Sequence, residues 1–308
     1  MEDRVFTVQH SLNEENRLRH TSDAGCFSSD GETKTLHLID ISGPAGQHGT
    51  PGLNHHLPPP GSGAHGQRGG NAGPSERGHD AGSIDLHLHQ AGGPKTHLLQ
   101  VSGTVRVDQH ERDLEIQNLA IKTDGYLFIE AVGGQGGNGG RGGNGQPGAT
   151  GSRGKNATRY RSGTNGGPGG NGGHAGDATD GSDGGSGGKV QISLSEQELG
   201  LLMLVKGNLT GGSIGYAGQP GHPGIGGKGG KGGNSHSWTE TQHYTTHDGE
   251  TATRSVRHFN SGGRNGSRGH SGLPSLYHAQ DGHQGAAGKL QILVTDATGK
   301  RTTYPSPF

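Results

Sequence analysis

The sequence is poor in the residues that build a conventional hydrophobic core. Of its 308 residues, 25% are hydrophobic and 4% are aromatic, whereas roughly 45–50% apolar residues are usual in globular chains. The single cysteine, Cys26, excludes an intramolecular disulfide and argues against a cystine-stapled secreted module. No apolar stretch approaches the ~20 residues that span a bilayer. We therefore expect neither a large core nor a membrane-inserted segment.

An excess of charge of one sign is also lacking. The formal net charge is −1, so there is no global basic field for nucleic acid or anionic lipid, and we expect no nucleic-acid partner. The N-terminal segment carries acidic residues and no apolar h-region, so no secretory signal is visible. We expect synthesis in the cytoplasm, which leaves open both assembly into a larger particle and non-classical export.

Catalytic and metal-binding motifs are missing as well. The chain has no His-Glu-x-x-His sequence and no paired-cysteine motif. Residues 184–188 spell G-x-S-x-G, but they lie in a glycine run without the strand-to-helix turn that would expose a nucleophile. His55 and His56 lack an identifiable third metal ligand. We therefore predict a protein that is not an enzyme and has no cofactor or metal site.

Glycine is what the sequence has in abundance, with 67 residues against only 14 prolines. It occupies every third position of residues 133–154 without a break, and residues 212–233 repeat the pattern. A second glycine column fills the first half of the earlier run. A collagen triple helix would favour imino acids outside the glycine column, but the earlier run contains only Pro147. The low proline content therefore argues against a triple helix.

Glycine at every third residue favours a backbone of the polyproline-II type. Such a backbone has three residues per turn and a rise of ~3.1 Å per residue, and its N–H and C=O groups need partners outside the segment. Two glycine columns let neighbouring backbones approach on two faces, and the third column points outward at Gln135, Asn138, Arg141 and Asn144. We favour polyglycine-II helices that run out and back within one chain and bond laterally; a flexible linker is the alternative.

The glycine runs belong to an internal repeat of three units, each with an entering strand, a glycine excursion and a returning strand. The entering strands centre on Leu38, Phe128 and Leu204, and the returning strands on Leu86, Ile192 and Ile292. We predict an all-β fold in which an antiparallel β-sheet or sandwich merges with a bundle of polyglycine-II helices, with almost no α-helix.

The units divide one predicted domain, residues 35–308, into residues 35–90, 125–196 and 199–296. Before it lies an N-terminal arm, residues 1–34, which we expect to be extended or partly disordered. Residues 95–132 are typical of four strands, with breaks at Ser102-Gly103 and at residues 124–125.

On these glycine triplets the chain resembles glycine-rich, collagen-like bacterial proteins and the polyglycine-II adhesin tips of phage long tail fibres. The resemblance covers roughly residues 43–82, 133–188 and 211–288. It implies a bundle of polyglycine-II helices in which the segments connecting the helices bind a receptor. The chain departs from the fibre adhesins in its long strand blocks.

The connecting segment of the third unit predicts a β-hairpin over residues 235–260. Asp248-Gly249 lies between two polar, threonine-rich arms, a pattern typical of a two-residue type I′ loop. That loop would place Trp238 opposite Phe259, Glu240 opposite Arg257, and Tyr244 opposite Thr253. This set contains the only tryptophan, so we predict a binding surface at Trp238, Glu240, Tyr244, Arg257 and Phe259.

The second connecting segment, residues 153–161, groups four cations around one aromatic side chain. This cluster predicts contacts with phosphate, sulfate or an acidic glycan; a solvated turn is the alternative. Its residues are Arg153, Lys155, Arg159, Tyr160 and Arg161.

Taken together, these patterns favour a non-enzymatic structural or scaffold protein that presents its tips from a polyglycine-II bundle and self-associates. The alternative is an adhesin or a receptor- or glycan-recognition module that binds through the hairpin and the second tip.

Overall fold

The computed structural model describes residues 19–27, 33–91, 98–107, 110–120 and 126–305. The chain is mostly β-structure, with 30% strand and 4% helix, which confirms the all-β class. The described residues form one 3-10 helix, Glu196–Leu204, and twelve strands. The strands are β1 (Arg19–Phe27), β2 (Thr33–Asp40), β3 (Ser83–Ala91), β4 (Leu98–Val107), β5 (His110–Ala120), β6 (Tyr126–Glu130), β7 (Lys189–Ser195), β8 (Val205–Asn208), β9 (His236–Thr245), β10 (Thr251–Asn260), β11 (Lys289–Thr295) and β12 (Arg301–Pro305).

The entering and returning strands of the three units form two separate sheets. The entering sheet has the order β1-β2-β6-β8, and the returning sheet has the order β12-β11-β7-β3-β4-β5. Leu86 lies opposite Ile192, and Ile192 lies opposite Ile292. These unit-to-unit pairs are parallel, as are β2–β6 and β6–β8, so the prediction of an antiparallel sheet is wrong for the pairs between units. The pairs β1–β2, β3–β4, β4–β5 and β11–β12 are antiparallel, so both sheets are mixed. Each unit leaves from one sheet and comes back in the other, so successive units add their strands in the same direction.

The two sheets pack their inner faces together around a small aliphatic core. In β3 the buried residues Ile84, Leu86 and Leu88 alternate with exposed Asp85 and His87, as period two requires. The entering sheet contributes Ile39, Leu127 and Ile129, and β7 contributes Val190, Ile192 and Leu194. The sparse apolar residues are therefore concentrated in one layer between the sheets.

β1 lies inside the predicted N-terminal arm as an extended strand that pairs antiparallel with β2. Two local predictions need correction. β4 runs through Ser102 and Gly103 without a break, since both residues stay in register with β3. Leu204 ends the 3-10 helix, and the third entering strand is β8, in which Lys206 lies opposite Phe128. The predicted break at 124–125 lies outside the described residues.

The glycine excursions leave the sheets as six runs that carry neither helix nor strand. We call residues 41–54, 131–157 and 209–235 the outward runs, and residues 63–82, 163–188 and 261–288 the return runs. Neighbouring runs are joined by backbone hydrogen bonds at every third residue. For example, Gly136, Gly139 and Gly142 donate to the carbonyls of residues 213, 216 and 219 at 2.8–2.9 Å. The outward runs form one layer in the order of the entering sheet. The return runs form a second layer in the order of the returning sheet.

The middle outward run is bonded to four other runs. Gly136 donates to the third outward run, and the next residue, Gly137, donates to Glu76 in the first return run at 2.9 Å. Its carbonyls accept from Gly46 of the first outward run at 2.8 Å and from Ser182 of the second return run at 3.0 Å. A Cβ on either glycine would meet backbone atoms of a neighbouring run. Glycine is required here because backbones approach from more than one direction.

Side chains in the third column bond the backbone of the next run. Asn138 and Asn144 are half-buried, and their Oδ1 atoms accept from the N–H groups of Tyr216 at 2.9 Å and His222 at 2.8 Å. Gln135 and Arg141 are exposed. Short acceptor side chains therefore satisfy outward-facing N–H groups that have no backbone partner.

The three excursions end at different distances from the sheets. The first turns back where His55 bonds Asn144 and Gly63 bonds Thr150. The second reaches a turn at Thr158–Arg161 and returns beside the end of the third outward run. The third continues into the hairpin of β9 and β10. The second tip and the hairpin therefore meet at the end of the bundle farthest from the sheets.

Candidate functional site

The hairpin closes through a three-residue loop, residues 247–249. The N–H of Thr246 donates to the carbonyl of Glu250 at 2.8 Å, and the N–H of Gly249 donates to the carbonyl of Thr246 at 3.0 Å. Gly249 has φ of +81°, the left-handed conformation that ends a loop of this length. The predicted two-residue loop and its register are therefore wrong: Trp238 lies opposite His258, and Glu240 lies opposite Val256.

A register change of one residue moves predicted partners to opposite faces of the ribbon. Trp238 and Glu240 lie on a half-buried face, whereas Phe259 and Arg257 lie on the exposed face. The predicted pairs Trp238–Phe259 and Glu240–Arg257 are therefore not formed. Phe259 remains 63% exposed, and the guanidinium of Arg257 donates to the hydroxyl of Ser237 at 3.5 Å.

The half-buried face joins the base of the hairpin to the second tip. The indole of Trp238 stacks with the rings of His236 and His258, with centroid separations of 5.7 and 5.2 Å. The guanidinium of Arg159 lies 6.0 Å from the indole centroid, within the range of a cation–π contact. Asn260 donates through Nδ2 to the carbonyl of Thr158 at 2.7 Å. We call Arg159, His236, Trp238, Glu240, His258 and Asn260 the tip junction.

One carboxylate links the charges of the tip junction. Glu240 forms an ion pair with Arg159, and its second oxygen lies 3.3 Å from Nε2 of His258. Nε2 of His258 is within ion-pair distance of Glu240 but is not aligned for a hydrogen bond. Nε1 of Trp238 also has no hydrogen-bond partner in the described part of the chain. Since the Arg159 and Glu240 side chains are 50% and 36% exposed, solvent screens the pair, and we expect it to contribute about 0.2–1 kcal/mol.

Among the described residues, the other predicted binding residues make no ion pair or ring contact with the tip junction. Tyr160 is 89% exposed and Tyr244 is 49% exposed. Arg153, Lys155 and Arg161 are exposed. The structure therefore brings Trp238, Glu240 and Arg159 together and leaves the rest on the surface. The two histidines and Asn260 were missed, because the two-residue loop assigned the wrong residues to the face of Trp238.

A group of carboxylates lies on the return layer, in the middle of the second return run. The hydroxyl of Ser275 and the guanidinium of Arg68 hold the pKa of Asp177 below its usual value. The backbone N–H of Gln280 and the hydroxyl of Tyr277 lower the pKa of Asp180. Each of these carboxylates is therefore used within the fold as an acceptor between return runs.

An apolar cavity of about 530 Å³ opens between the sheets beside β8 and β11. It arises because the entering sheet ends at the short β8 while the returning sheet continues to β12. Phe128, Leu202 and Ile292 are among its lining residues. The lining offers few polar groups to orient a ligand, so the cavity does not define a reaction site.

Within the described ranges, no cluster of three or more His, Cys, Asp or Glu side chains could hold a metal ion. None of the described helices has the length and apolar character needed to cross a membrane. Comparison of the chain with protein-family models, curated proteins and solved structures finds no significant match.

Proposed function

We propose that the chain is a non-enzymatic structural scaffold that holds surface tips away from a small β-sandwich. In this proposal the six glycine runs are polyglycine-II helices that form one bundle. The observation that carries it is the period-three bonding of each inner run to several neighbours, since a helix of three residues per turn directs its backbone groups in three directions.

The bundle would owe its rigidity to backbone hydrogen bonds rather than to apolar burial. Ordering a residue costs about 1–2 kcal/mol of backbone entropy, with glycine at the upper end, and a backbone hydrogen bond returns about 0.5–1.5 kcal/mol net. A single pair of glycine runs would therefore be unstable. In runs bonded on several sides, such as residues 131–157 and 163–188, the hydrogen bonds offset more of the entropy cost. Apolar burial in the sandwich core supplies the rest of the stabilising free energy.

Self-association would use the edge of the bundle that is formed by the third unit. The N–H groups of Gly226 and Gly229 donate to no other residue in the described part of the chain. The edge of the first unit is flanked at the sheets by β1, β4 and β5, whereas among the described strands β12 alone lies beyond the third unit. Two copies could pair these third-unit edges with their sheets at opposite ends, as a two-fold dimer does.

Sedimentation velocity across a wide range of protein concentration tests this association. We expect a concentration-dependent dimer that is weakened by Ser271→Glu, at the third-unit edge. The matched control is Ser267→Glu, on the outer surface of the same run. A single monomeric species at every concentration would refute self-association but leave the bundle itself intact.

A recognition function is the second candidate, favoured by the tips themselves. Tyr160 is 89% exposed and Phe259 is 63% exposed at the far end of the bundle, where exposed aromatic side chains are typical of binding surfaces. We expect an adhesin that acts through these tips to lose binding to a glycan array in Tyr160→Ala and Phe259→Ala with the fold retained. Binding that persists in both variants would contradict a recognition role for the tips.

A further inference from the structure

Charge is divided between the two layers of the bundle. The outward runs, residues 41–54, 131–157 and 209–235, contain no aspartate or glutamate. Their cations are Arg141, Arg153, Lys155, Lys228 and Lys231. The acidic residues of the six runs all lie in the return layer, and they are Glu76, Asp80, Asp177, Asp180, Asp183 and Asp281. The return layer also carries four arginines, Arg68, Arg77, Arg264 and Arg268, so its charges largely cancel. The near-zero net charge of the chain therefore conceals one cationic side of the bundle.

Four of these cations share the outer surface of the outward layer. Arg141 and Arg153 belong to the third column of the middle run, and Lys228 and Lys231 belong to the corresponding column of the third run. The glycines between them turn towards neighbouring runs, as a Cβ on Gly139 would turn towards the return layer. Gly154 donates to the carbonyl of Lys231 at 2.8 Å, which sets Lys231 beside Arg153. We call these four cations, with Tyr216, the cationic face.

The side chains of the cationic face are available to a ligand. All four cations are exposed, and none makes an ion pair or a side-chain hydrogen bond with any residue that the structure describes. On the return layer, by contrast, the carboxylates of Asp177, Asp180 and Asp183 are already engaged by neighbouring runs. The unpaired cations therefore suit an external polyanion better than a second copy of this chain.

Neutral polar and aromatic groups accompany the cations. Tyr216 is 60% exposed, and its N–H donates to Asn138 in the adjoining run at 2.9 Å, so it lies among the same columns. Gln135 and Gln219 are exposed on this surface. Aromatic rings can stack on sugar rings, and amides can bond hydroxyl groups, whereas cations attract carboxylate or sulfate groups.

The spacing of the cations selects the kind of polyanion. Arg141 and Arg153 lie twelve residues apart in the middle run, which is about 37 Å at a rise of ~3.1 Å per residue, whereas Lys228 and Lys231 lie about 9 Å apart in the third run. Duplex DNA carries one charge per ~1.7 Å of its axis and is usually bound by a helix or ribbon placed in a groove, which a flat surface does not provide. An acidic polysaccharide with a charge on alternate sugars is more sparsely charged. We propose that the cationic face binds an extended acidic polysaccharide through its carboxylate or sulfate groups.

Isothermal titration of the full chain tests the proposal. The probes are hyaluronate, with carboxylates on alternate sugars only, chondroitin sulfate, with sulfates as well, neutral dextran and duplex DNA. We expect both acidic polysaccharides to bind and dextran not to bind, with affinity that falls as salt rises. The combined variant R141Q/R153Q/K228Q/K231Q should lose about tenfold or more in affinity, and Tyr216→Ala should weaken binding without changing its salt dependence.

A charge-matched variant separates the cationic face from net charge. K189Q/K289Q/K300Q/R301Q removes four exposed cations from β7, β11 and the start of β12, and we expect it to bind like the wild type. The proposal is overturned if neither acidic polysaccharide binds, if both combined variants lose affinity equally, or if DNA binds as tightly through the same four residues. Circular dichroism of each variant checks the fold. The result is independent of self-association, because a monomer carries the complete cationic face.

Discussion

Gly139 offers a direct test of whether the glycine runs are packed. It lies in the middle outward run, and a Cβ added there would meet the carbonyl oxygen of Thr179, lie 2.7 Å from the nitrogen of Gly218, and lie 2.8 Å from the carbonyl oxygen of Asp180. All three atoms are backbone, so no side chain can rotate away. Gly139→Ala must therefore separate the middle run from its neighbours.

The cost of that separation follows from the bonds nearby. Gly139 donates to Tyr216 at 2.8 Å, Thr179 donates to Gly140 at 3.2 Å, and Gly218 donates to Thr179 at 3.0 Å. Weakening these three bonds, at about 0.5–1.5 kcal/mol each, costs roughly 2–4 kcal/mol. Alanine restricts the unfolded chain and so offsets only about 0.4–1 kcal/mol of this loss. We expect a net destabilisation of about 1–3 kcal/mol.

Urea unfolding, followed by circular dichroism, measures the effect. Two controls accompany it: Gly200→Ala in the 3-10 helix, where a Cβ meets nothing within 4 Å, and Arg141→Ala, two residues along the same run. Both should unfold within about 0.5 kcal/mol of the wild type. If Gly139→Ala is as stable as these controls, the run is not packed as described, and the linker interpretation of the glycine triplets is restored.

Two further predictions concern the hairpin and the return layer. In a Cys26→Ala background, the pair T241C/S255C should form a disulfide, because Thr241 and Ser255 lie directly opposite each other on the two strands. The pair Q242C/S255C, which the two-residue loop would place opposite, should not form one. The reverse result would restore the two-residue loop. Acid should destabilise the bundle, because the pKa of carboxylates such as Asp180 is lower in the folded chain than in the unfolded chain. The stability that each such carboxylate contributes is complete above its unfolded pKa of about 3.9 and is lost as the pH falls through its folded pKa. Asp180→Asn keeps an acceptor oxygen for the N–H of Gln280, so its urea midpoint should stay near that of the wild type at neutral pH and fall less in acid. An unchanged acid dependence would count against this role.

The strands were predictable where hydrophobic alternation is strong, and their directions were not. Leu86, Ile192 and Ile292 centre strands in the sequence and are direct neighbours in the returning sheet. Period two shows which residues share a face but contains no information on whether the next strand runs parallel. Direction was decided by the excursions, which carry each unit from one sheet to the other.

The tip junction was only partly predictable, for a similar reason. Asp248-Gly249 is compatible with a two-residue loop and with a longer loop that ends in a left-handed glycine. The choice shifts the register by one residue and decides whether Trp238 faces Phe259 or His258. Arg159 comes from another unit, so only the lengths of the excursions bring it to Glu240.

The third column of the glycine runs carries different side chains in the two layers, although the backbone packing of the layers is the same. Acceptors bond the next run at constant separations along the chain: 90 residues for His48 and Asn54, and 78 residues for Asn138 and Asn144. Between the second and third return runs, the separation is 99 residues at Asn171 and 100 at Asp180. The extra residue falls in the interval where the glycine period slips between residues 272 and 282. Register is therefore fixed by glycines and short acceptors, so third-column positions without an acceptor are free to carry Arg141, Arg153, Lys228 and Lys231 without disturbing the packing.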